Sequence, residues 1–103
     1  MSQLVRENLT FLNLLLHTTS SQSRALLRTI TQSQTEAIRE IAQNFDKFPG
    51  DLSRVRAKHR FLIRALAAKR ISRRRMISLL VANRIQFLHV LHSIADYISE
   101  LAR

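Results

Sequence analysis

Residues 48–75 read FPGDLSRVRAKHRFLIRALAAKRISRRR, and this stretch decides the fold class. It opens with Pro49 and Gly50, the single proline and the single glycine among the 103 residues of the chain. The many turns of a β-rich fold repeatedly require proline and glycine. A single Pro-Gly pair therefore indicates one main break between helical segments. Beyond the break, apolar residues recur every three or four positions, which is the period of a helix packed on one side. We therefore expect an all-α fold, a compact bundle of five or six short helices.

The same stretch carries nearly all of the net charge. Between residues 51 and 84 there are eleven basic side chains and one acid, Asp51, which gives +10, and the rest of the chain cancels. Charge of one sign at this density destabilises a compact chain unless an outside partner offsets it, so it predicts a polyanionic partner. We call these eleven residues the basic block: Arg54, Arg56, Lys58, Arg60, Arg64, Lys69, Arg70, Arg73, Arg74, Arg75 and Arg84.

Length and composition limit the class of protein. A chain of 103 residues with 46% hydrophobic residues has the material for one core, so we expect a single helical domain over residues 1–103. The absence of cysteine excludes disulfides and thiolate metal sites. No apolar run resembles a secretory signal or is long enough to cross a bilayer, so we expect a protein that is not secreted and has no transmembrane segment.

The apolar pattern predicts six helices. Three precede the break, at residues 3–16, at residues 22–30, and from a cap at Thr31 or Ser33. Three follow it: from a cap at Asp51 or Ser53 to about residue 68, from a cap at Ser72 to about residue 82, and over residues 85–101. The positions expected to face the core are Leu4, Phe11, Leu12, Leu15, Leu26, Leu27, Ile30, Ile38, Ile41, Ala42, Phe45, Leu52, Val55, His59, Leu62, Ile63, Leu66, Met76, Leu79, Leu80, Phe87, Leu88, Leu91, Ile94, Ala95, Ile98 and Leu101.

The fourth predicted helix has two apolar faces. Its larger face is bordered by a stripe of three arginines, Arg56, Arg60 and Arg64. A helix with two apolar faces is either central in its bundle or part of a contact between copies of the chain. We expect the central position, and we keep a homo-oligomer contact as the alternative. The smaller face consists of Ala57, Phe61, Ala65 and Ala68.

Patterns typical of enzymes are missing from the sequence. His89 and His92 have a spacing that two metal ligands can use, but without cysteine and with few carboxylates we interpret them as partly buried or interfacial helix histidines. Glu36 and Glu40 share a polar face with Arg39, which favours ion pairing over acid–base chemistry. A single glycine cannot form a glycine-rich phosphate loop. We therefore expect no catalytic residues, no metal site and no cofactor.

The composition of the basic block favours nucleic acid as the polyanion. Arginine outnumbers lysine in it by nine to two, and arginine is preferred where a planar group makes bidentate contact with phosphate. Three consecutive arginines, residues 73–75, fall in a predicted first helical turn, where the backbone N–H groups also favour anions. Only one aromatic residue, Phe61, lies in the block, which favours double-stranded DNA over single strands. The helix after Ser72 has few side chains suited to reading bases, so we expect binding without sequence specificity.

Two other anionic partners fit the same charge. Six short amphipathic helices also suit a death-fold-like interaction module, in which the basic block would dock an acidic protein surface. An anionic membrane surface is a third alternative. Salt-dependent binding of unrelated DNA duplexes would distinguish a DNA-binding protein from one that binds an acidic protein surface or an anionic membrane.

Two runs of the sequence resemble a known family. They are residues 23–41, SRALLRTITQSQTEAIREI, and residues 60–75, RFLIRALAAKRISRRR. Together with the helical pattern over residues 9–92, they resemble small basic helical proteins of Polinton/Maverick-type mobile elements and adenovirus-related viruses. Such proteins are compared with the small basic core peptide of adenoviruses. The resemblance implies a structural protein that packages the genome in a virion core, located in the virion or the host nucleus beside other virion proteins.

The end of the chain departs from that family. An amphipathic helix with acidic residues near its tip stands where the family has a glycine-rich apolar tail. This difference favours a folded domain over a membrane-active role.

Overall fold

The computed structural model describes residues 3–48 and 51–101, and the all-α class is confirmed: the elements in these ranges are helical. The Pro49-Gly50 pair lies outside the described residues. A radius of gyration of 12.4 Å, close to the roughly 13 Å expected for a compact chain of this length, shows a tightly packed globule. In chain order the elements are α1 (Gln3–Glu7), α2 (Leu9–Leu16), α3 (Ser20–Arg28), α4 (Gln32–Gln43), a 3₁₀ turn (Phe45–Lys47), α5 (Ser53–Lys58), α6 (Arg60–Ala67), α7 (Arg73–Ala82), α8 (Arg84–Ser93) and α9 (Ala95–Leu101).

Three of the six predicted helices are each divided at one residue, which the apolar pattern did not indicate. The divisions fall at Asn8, between α1 and α2; at His59, between α5 and α6; and at Ile94, between α8 and α9. At Asn8 the cause is a side chain. The Asn8 amide donates to the Leu4 carbonyl oxygen at 2.8 Å, and the Asn8 backbone N–H donates to the Val5 carbonyl oxygen at 3.1 Å. Because the amide takes the carbonyl that the α-helical backbone would use, the helix tightens and changes direction there.

Two further asparagines end helices in a related way. The side-chain amides of Asn44 and Asn83 donate to the carbonyl oxygens four residues earlier, Glu40 and Leu79, each at 2.9 Å. Asn44 closes α4 and Asn83 closes α7. At both sites the same carbonyl oxygen also accepts from the backbone N–H of the asparagine, so the side chain adds a second hydrogen bond at the helix end.

Polar residues cap the starts of α3 and α4, although the predicted positions differ in part from the observed ones. Thr31 caps α4 with Gln34 in a reciprocal capping box, whereas Ser33, the alternative, accepts instead from the Asn8 amide at 3.0 Å. The second predicted helix was placed two residues too late. It starts at Ser20 and ends at Arg28, because Thr19 and Gln22 form another capping box.

At the start of α5, neither predicted cap occupies the N-cap position. Leu52 stands there, without a capping side chain. Asp51 accepts from the Ser53 backbone N–H at 3.1 Å and from the Ser53 hydroxyl at 2.7 Å. These two hydrogen bonds, the hydroxyl one first, hold the pKa of the Asp51 carboxyl below its ordinary value.

The core is one apolar cluster in which α4 is central. α4 makes its most extensive contact with α6 and also packs on α1 and α7, while α2 lies against α8 and α9, and α3 lies against α7. All predicted core positions whose side chains the structure describes are buried or half-buried. The side chain of the remaining position, Leu101, lies outside the described part of the chain. The prediction missed six buried apolar residues: Val5, Leu9, Leu16, Ala37, Phe48 and Val90.

Phe48 connects the end of the first half to the last helix. Its ring meets Phe45 edge-on at a centroid distance of 6.2 Å and meets Tyr97 of α9 at 5.0 Å. Edge-to-face aromatic contacts of this kind add to the stabilisation from apolar burial. The 3₁₀ turn is thereby fixed to the core directly before the Pro-Gly break.

Replacing Thr31 with alanine should lower the free energy of unfolding by about 1 kcal/mol, because α4 loses the oxygen that accepts the Gln34 backbone N–H. Urea denaturation measures the change. Thr10→Ala is the matched control, since Thr10 is exposed within α2 and alanine favours a helix interior. Equal stability of the two variants would show that the capping box contributes nothing.

Candidate functional site

The basic block is a surface feature. Ten of its eleven side chains are exposed, and Arg84 is half-buried. These ten residues lie on one stretch of the chain, which runs from α5 through α6 and the connection to the first turn of α7. They are Arg54, Arg56 and Lys58 on α5; Arg60 and Arg64 on α6; Lys69 and Arg70 in the connection; and Arg73, Arg74 and Arg75 on α7.

The predicted arginine stripe borders a shallow groove on α5 and α6. Arg56, Arg60 and Arg64 line this groove, whose volume is about 470 Å³. The remaining lining residues are Ser53, Ala57 and Ile63, so the floor is largely apolar and the charge sits along the wall. We call this feature the arginine groove. It offers three guanidinium groups to one extended anion.

Two side chains of α4 fix the end of α6 and the connection after it. The Arg39 guanidinium Nη1 donates to the Lys69 carbonyl oxygen at 2.9 Å, and the Gln43 amide donates to the Ala67 carbonyl oxygen at 2.9 Å. Arg39 also meets Glu36 at 3.9 Å, as the sequence predicted. The sequence did not predict the two carbonyl contacts, because they join positions 24 and 30 residues apart and leave no local pattern.

The arginine cluster of α7 divides into different roles. Ser72 caps the helix as predicted, accepting from the Arg75 backbone N–H at 3.1 Å. The Arg73 guanidinium Nη1 turns back and donates to the Ile30 carbonyl oxygen at 2.8 Å, just beyond the end of α3. Arg74 and Arg75 extend into solvent. Arg73 thus binds the protein itself, and the other two remain available to a partner.

Arg84 lies at the opposite end of α7 from the arginine cluster. Because α7 is a ten-residue helix, Arg84 is about 15 Å along the helix axis from Arg73. There it lines a pocket of about 460 Å³ together with Arg24, Thr19 and Ser21 at the start of α3. The sequence grouped Arg84 with the basic block because it is near in sequence, whereas in the structure it is half-buried and shares a pocket with residues of α3.

The expected burial of the smaller apolar face is wrong. Phe61 is 78% exposed, and no helix among the described residues covers it. Ala57 and Ala68 are exposed beside it, and Ala65 is half-buried. α6 therefore buries one face only. The role of Ala57, Phe61, Ala65 and Ala68 in a homo-oligomer stays a prediction.

His59 lies at the division between α5 and α6 and is 5% exposed. Its Nε2 is 3.0 Å from Nδ1 of His89 on α8, which is a hydrogen-bond distance when one of the two nitrogens carries the proton. Burial lowers the pKa of His59, and the nearby His89 and Lys58 lower that pKa further. This contact joins the helices of the arginine groove to α8.

His89 therefore pairs with a histidine on another helix rather than with His92, which is exposed. Within residues 3–48 and 51–101, no three His, Cys, Asp or Glu side chains converge as metal ligands. In the same ranges, no helix combines the length and the apolar character needed to span a membrane.

Comparison with known proteins gives no match. No family model, no curated protein and no solved structure is similar to this chain at a significant level. The function is therefore inferred from the residues of the chain itself.

Replacing Arg73 with glutamine should lower the free energy of unfolding by about 1 kcal/mol relative to Arg74→Gln, because only Arg73 donates to Ile30. Both variants remove one positive charge from the first turn of α7, so the difference between them isolates that hydrogen bond. Thermal denaturation of both variants measures it. A lower stability of Arg74→Gln would contradict the assignment.

The lowered pKa of His59 predicts a loss of stability in mild acid. Below the ordinary histidine pKa of 6.5, the unfolded chain binds a proton that the folded chain still excludes. The free energy of unfolding should therefore fall as the pH drops from 6.5 towards the folded-state pKa. Urea denaturation at pH 7.5 and at pH values below 6.5 should show a smaller fall for His59→Gln than for the wild type.

The control for this measurement is His17→Gln, because His17 is exposed at the end of α2. It should show the pH dependence of the wild type. If His59→Gln shows the same dependence as well, the buried histidine is not the group that couples folding to pH.

Proposed function

We propose that this chain is a non-catalytic nucleic-acid-binding protein that contacts the phosphate backbone of double-stranded DNA without sequence specificity. One observation carries the proposal. The ten cations on α5, α6, the connection and α7 are exposed, and the same stretch of chain holds one acid, Asp51, which lies near Arg56. A large excess of charge of one sign on a folded surface raises the local concentration of polyanions and speeds their association.

The arginine groove supports contact with a phosphate backbone. Arg56 on α5 and Arg60 and Arg64 on α6 line the groove together, at intervals of four residues along the chain. Each of the three guanidinium groups can donate to a phosphate of a DNA strand that follows the groove. Arg74 and Arg75, exposed at the capped start of α7, add guanidinium groups beside the free N–H groups of a helix N-terminus.

The exposed side of α7 supports binding without base recognition. After Arg75, its exposed residues are Ser78 and Ala82, while Met76 and Leu80 are buried in the core. Such short side chains do not reach base edges in the major groove, where asparagine, glutamine and arginine make the specific contacts. Affinity therefore comes from phosphate contacts, which position a protein on DNA but carry no sequence information.

The biological role that we propose is genome packaging in the core of a virus or mobile element, within the virion or the host nucleus. Its support is the resemblance of residues 23–41 and 60–75 to the small basic proteins of Polinton/Maverick-type elements and adenovirus-related viruses. Charge neutralisation without sequence preference is the physical requirement for condensing a whole genome, since every segment presents the same phosphates.

Unrelated DNA duplexes of equal length should bind with similar affinity and a steep dependence on salt. With about six phosphate contacts, log K should fall with log salt at a slope near −5, because each contact releases roughly 0.9 counterion. Fluorescence anisotropy with labelled duplexes between 50 and about 200 mM salt measures this slope.

Two matched double variants test whether the arginine groove makes these contacts. Arg60→Gln with Arg64→Gln should reduce the slope by about 2. Arg6→Gln with Lys47→Gln removes the same charge from exposed sites on α1 and the 3₁₀ turn, and should leave the slope nearly unchanged. Equal effects would mean that net charge alone governs binding. If no duplex binds at low salt, the DNA-binding proposal is wrong, and an acidic protein or an anionic membrane becomes the favoured partner.

A further inference from the structure

Phe61 is an exposed aromatic side chain at the centre of the cationic surface. It is 78% exposed, whereas Phe45, Phe48 and Phe87 are buried and Phe11 and Tyr97 are half-buried. Leaving a phenylalanine side chain in water forfeits the stabilisation that its burial would contribute. Single exposed apolar residues are common on proteins, so the surroundings of Phe61 must decide whether it has a role.

The neighbours of Phe61 along the helix are small. Ala65 follows it by four residues on α6, and Ala57, on α5, precedes it by four, so both of these positions carry only a methyl group. Ala68, one turn further on, is also exposed. The ring of Phe61 therefore stands out from its face of α6 as a single apolar projection.

Cations flank this projection. The Arg60 guanidinium carbon lies 5.3 Å from the centroid of the Phe61 ring. Lys58 and Arg64, three residues before and after Phe61, are exposed, and Arg64 also lines the arginine groove. A second copy of this chain on the same face would bring like charges together in an apolar contact, which is unfavourable. The complementary surface is one with an apolar interior between two lines of negative charge.

Duplex DNA has that pattern, because stacked bases lie between two phosphate backbones. Proteins that kink DNA insert apolar wedges such as phenylalanine between base steps while basic side chains hold the adjacent phosphates. We propose that Phe61 is such a wedge: it partly enters one base step and kinks the duplex while Arg60, Arg64 and Lys58 contact the flanking phosphates. This inference rests on the proposed function and adds that the DNA is bound in a bent form.

A wedge makes binding sensitive to how easily the duplex deforms. Pyrimidine–purine steps such as TA unstack readily, whereas A-tracts are stiff. The wild-type protein should bind a duplex with a central run of TA steps at least about threefold more tightly than an A-tract duplex of equal length and base composition. It should also bring dyes on the two ends of the TA duplex closer together, measured by resonance energy transfer.

Phe61→Ala should abolish both the TA preference and the change in energy transfer. The salt slope should stay as in the wild type, since the phosphate contacts remain. Ile85→Ala is the matched control, because Ile85 is 75% exposed on α8, a helix that carries none of the ten cations, and its loss should change neither readout. Phe61→Leu, which keeps an apolar wedge, should retain most of the preference. Because Phe61 is exposed, all three variants should keep the wild-type melting temperature.

The outcomes separate this inference from the function on which it rests. Steep, salt-dependent DNA binding without a TA preference or bending would overturn the wedge and leave backbone binding in place. No DNA binding at all would remove both. Tighter binding of a single strand than of a duplex would overturn the wedge in favour of base stacking on Phe61. A wild-type dimer in sedimentation experiments that Phe61→Ala converts to a monomer would overturn the wedge in favour of self-association.

Discussion

The contact between α4 and α6 is the constraint on which the rest of the structure depends. α6 exposes Arg60 and Arg64 beside other cations, so its only stabilising surface is the face that it turns inward. That face packs against α4 in the core. Arg39 and Gln43 of α4 also donate hydrogen bonds to backbone carbonyl oxygens at the end of α6 and in the connection after it. Apolar burial and hydrogen bonds from α4 together offset the repulsion within the cationic segment.

The sequence predicted the fold class and most of the core, because both depend on local signals. The 3.6-residue period identified the inward positions of α4 and α6, and hydroxyl residues marked the caps at Thr31 and Ser72. The same signals identified the arginine stripe, since helix geometry alone places Arg56, Arg60 and Arg64 in one row. These features follow from neighbours within one or two turns.

The remaining features depend on contacts between distant residues. Nothing near Asn8 in sequence shows that its amide will take a backbone carbonyl and divide a helix while also reaching Ser33, 25 residues away. Arg73 and Arg74 are indistinguishable in sequence, yet only Arg73 meets the Ile30 carbonyl across the fold. Phe61 was misjudged because a second apolar face shows that burial is favourable but not whether another helix is present to provide it.

The preference for arginine has a consequence for how a bound partner leaves. Eight of the ten exposed cations are arginines, whose guanidinium groups keep their charge at any pH that proteins experience. Alkaline conditions therefore cannot discharge this surface, as they would a surface built from lysine. The polyanion that we propose as its partner would therefore leave by exchange, when another polyanion or concentrated salt replaces the guanidinium contacts one after another.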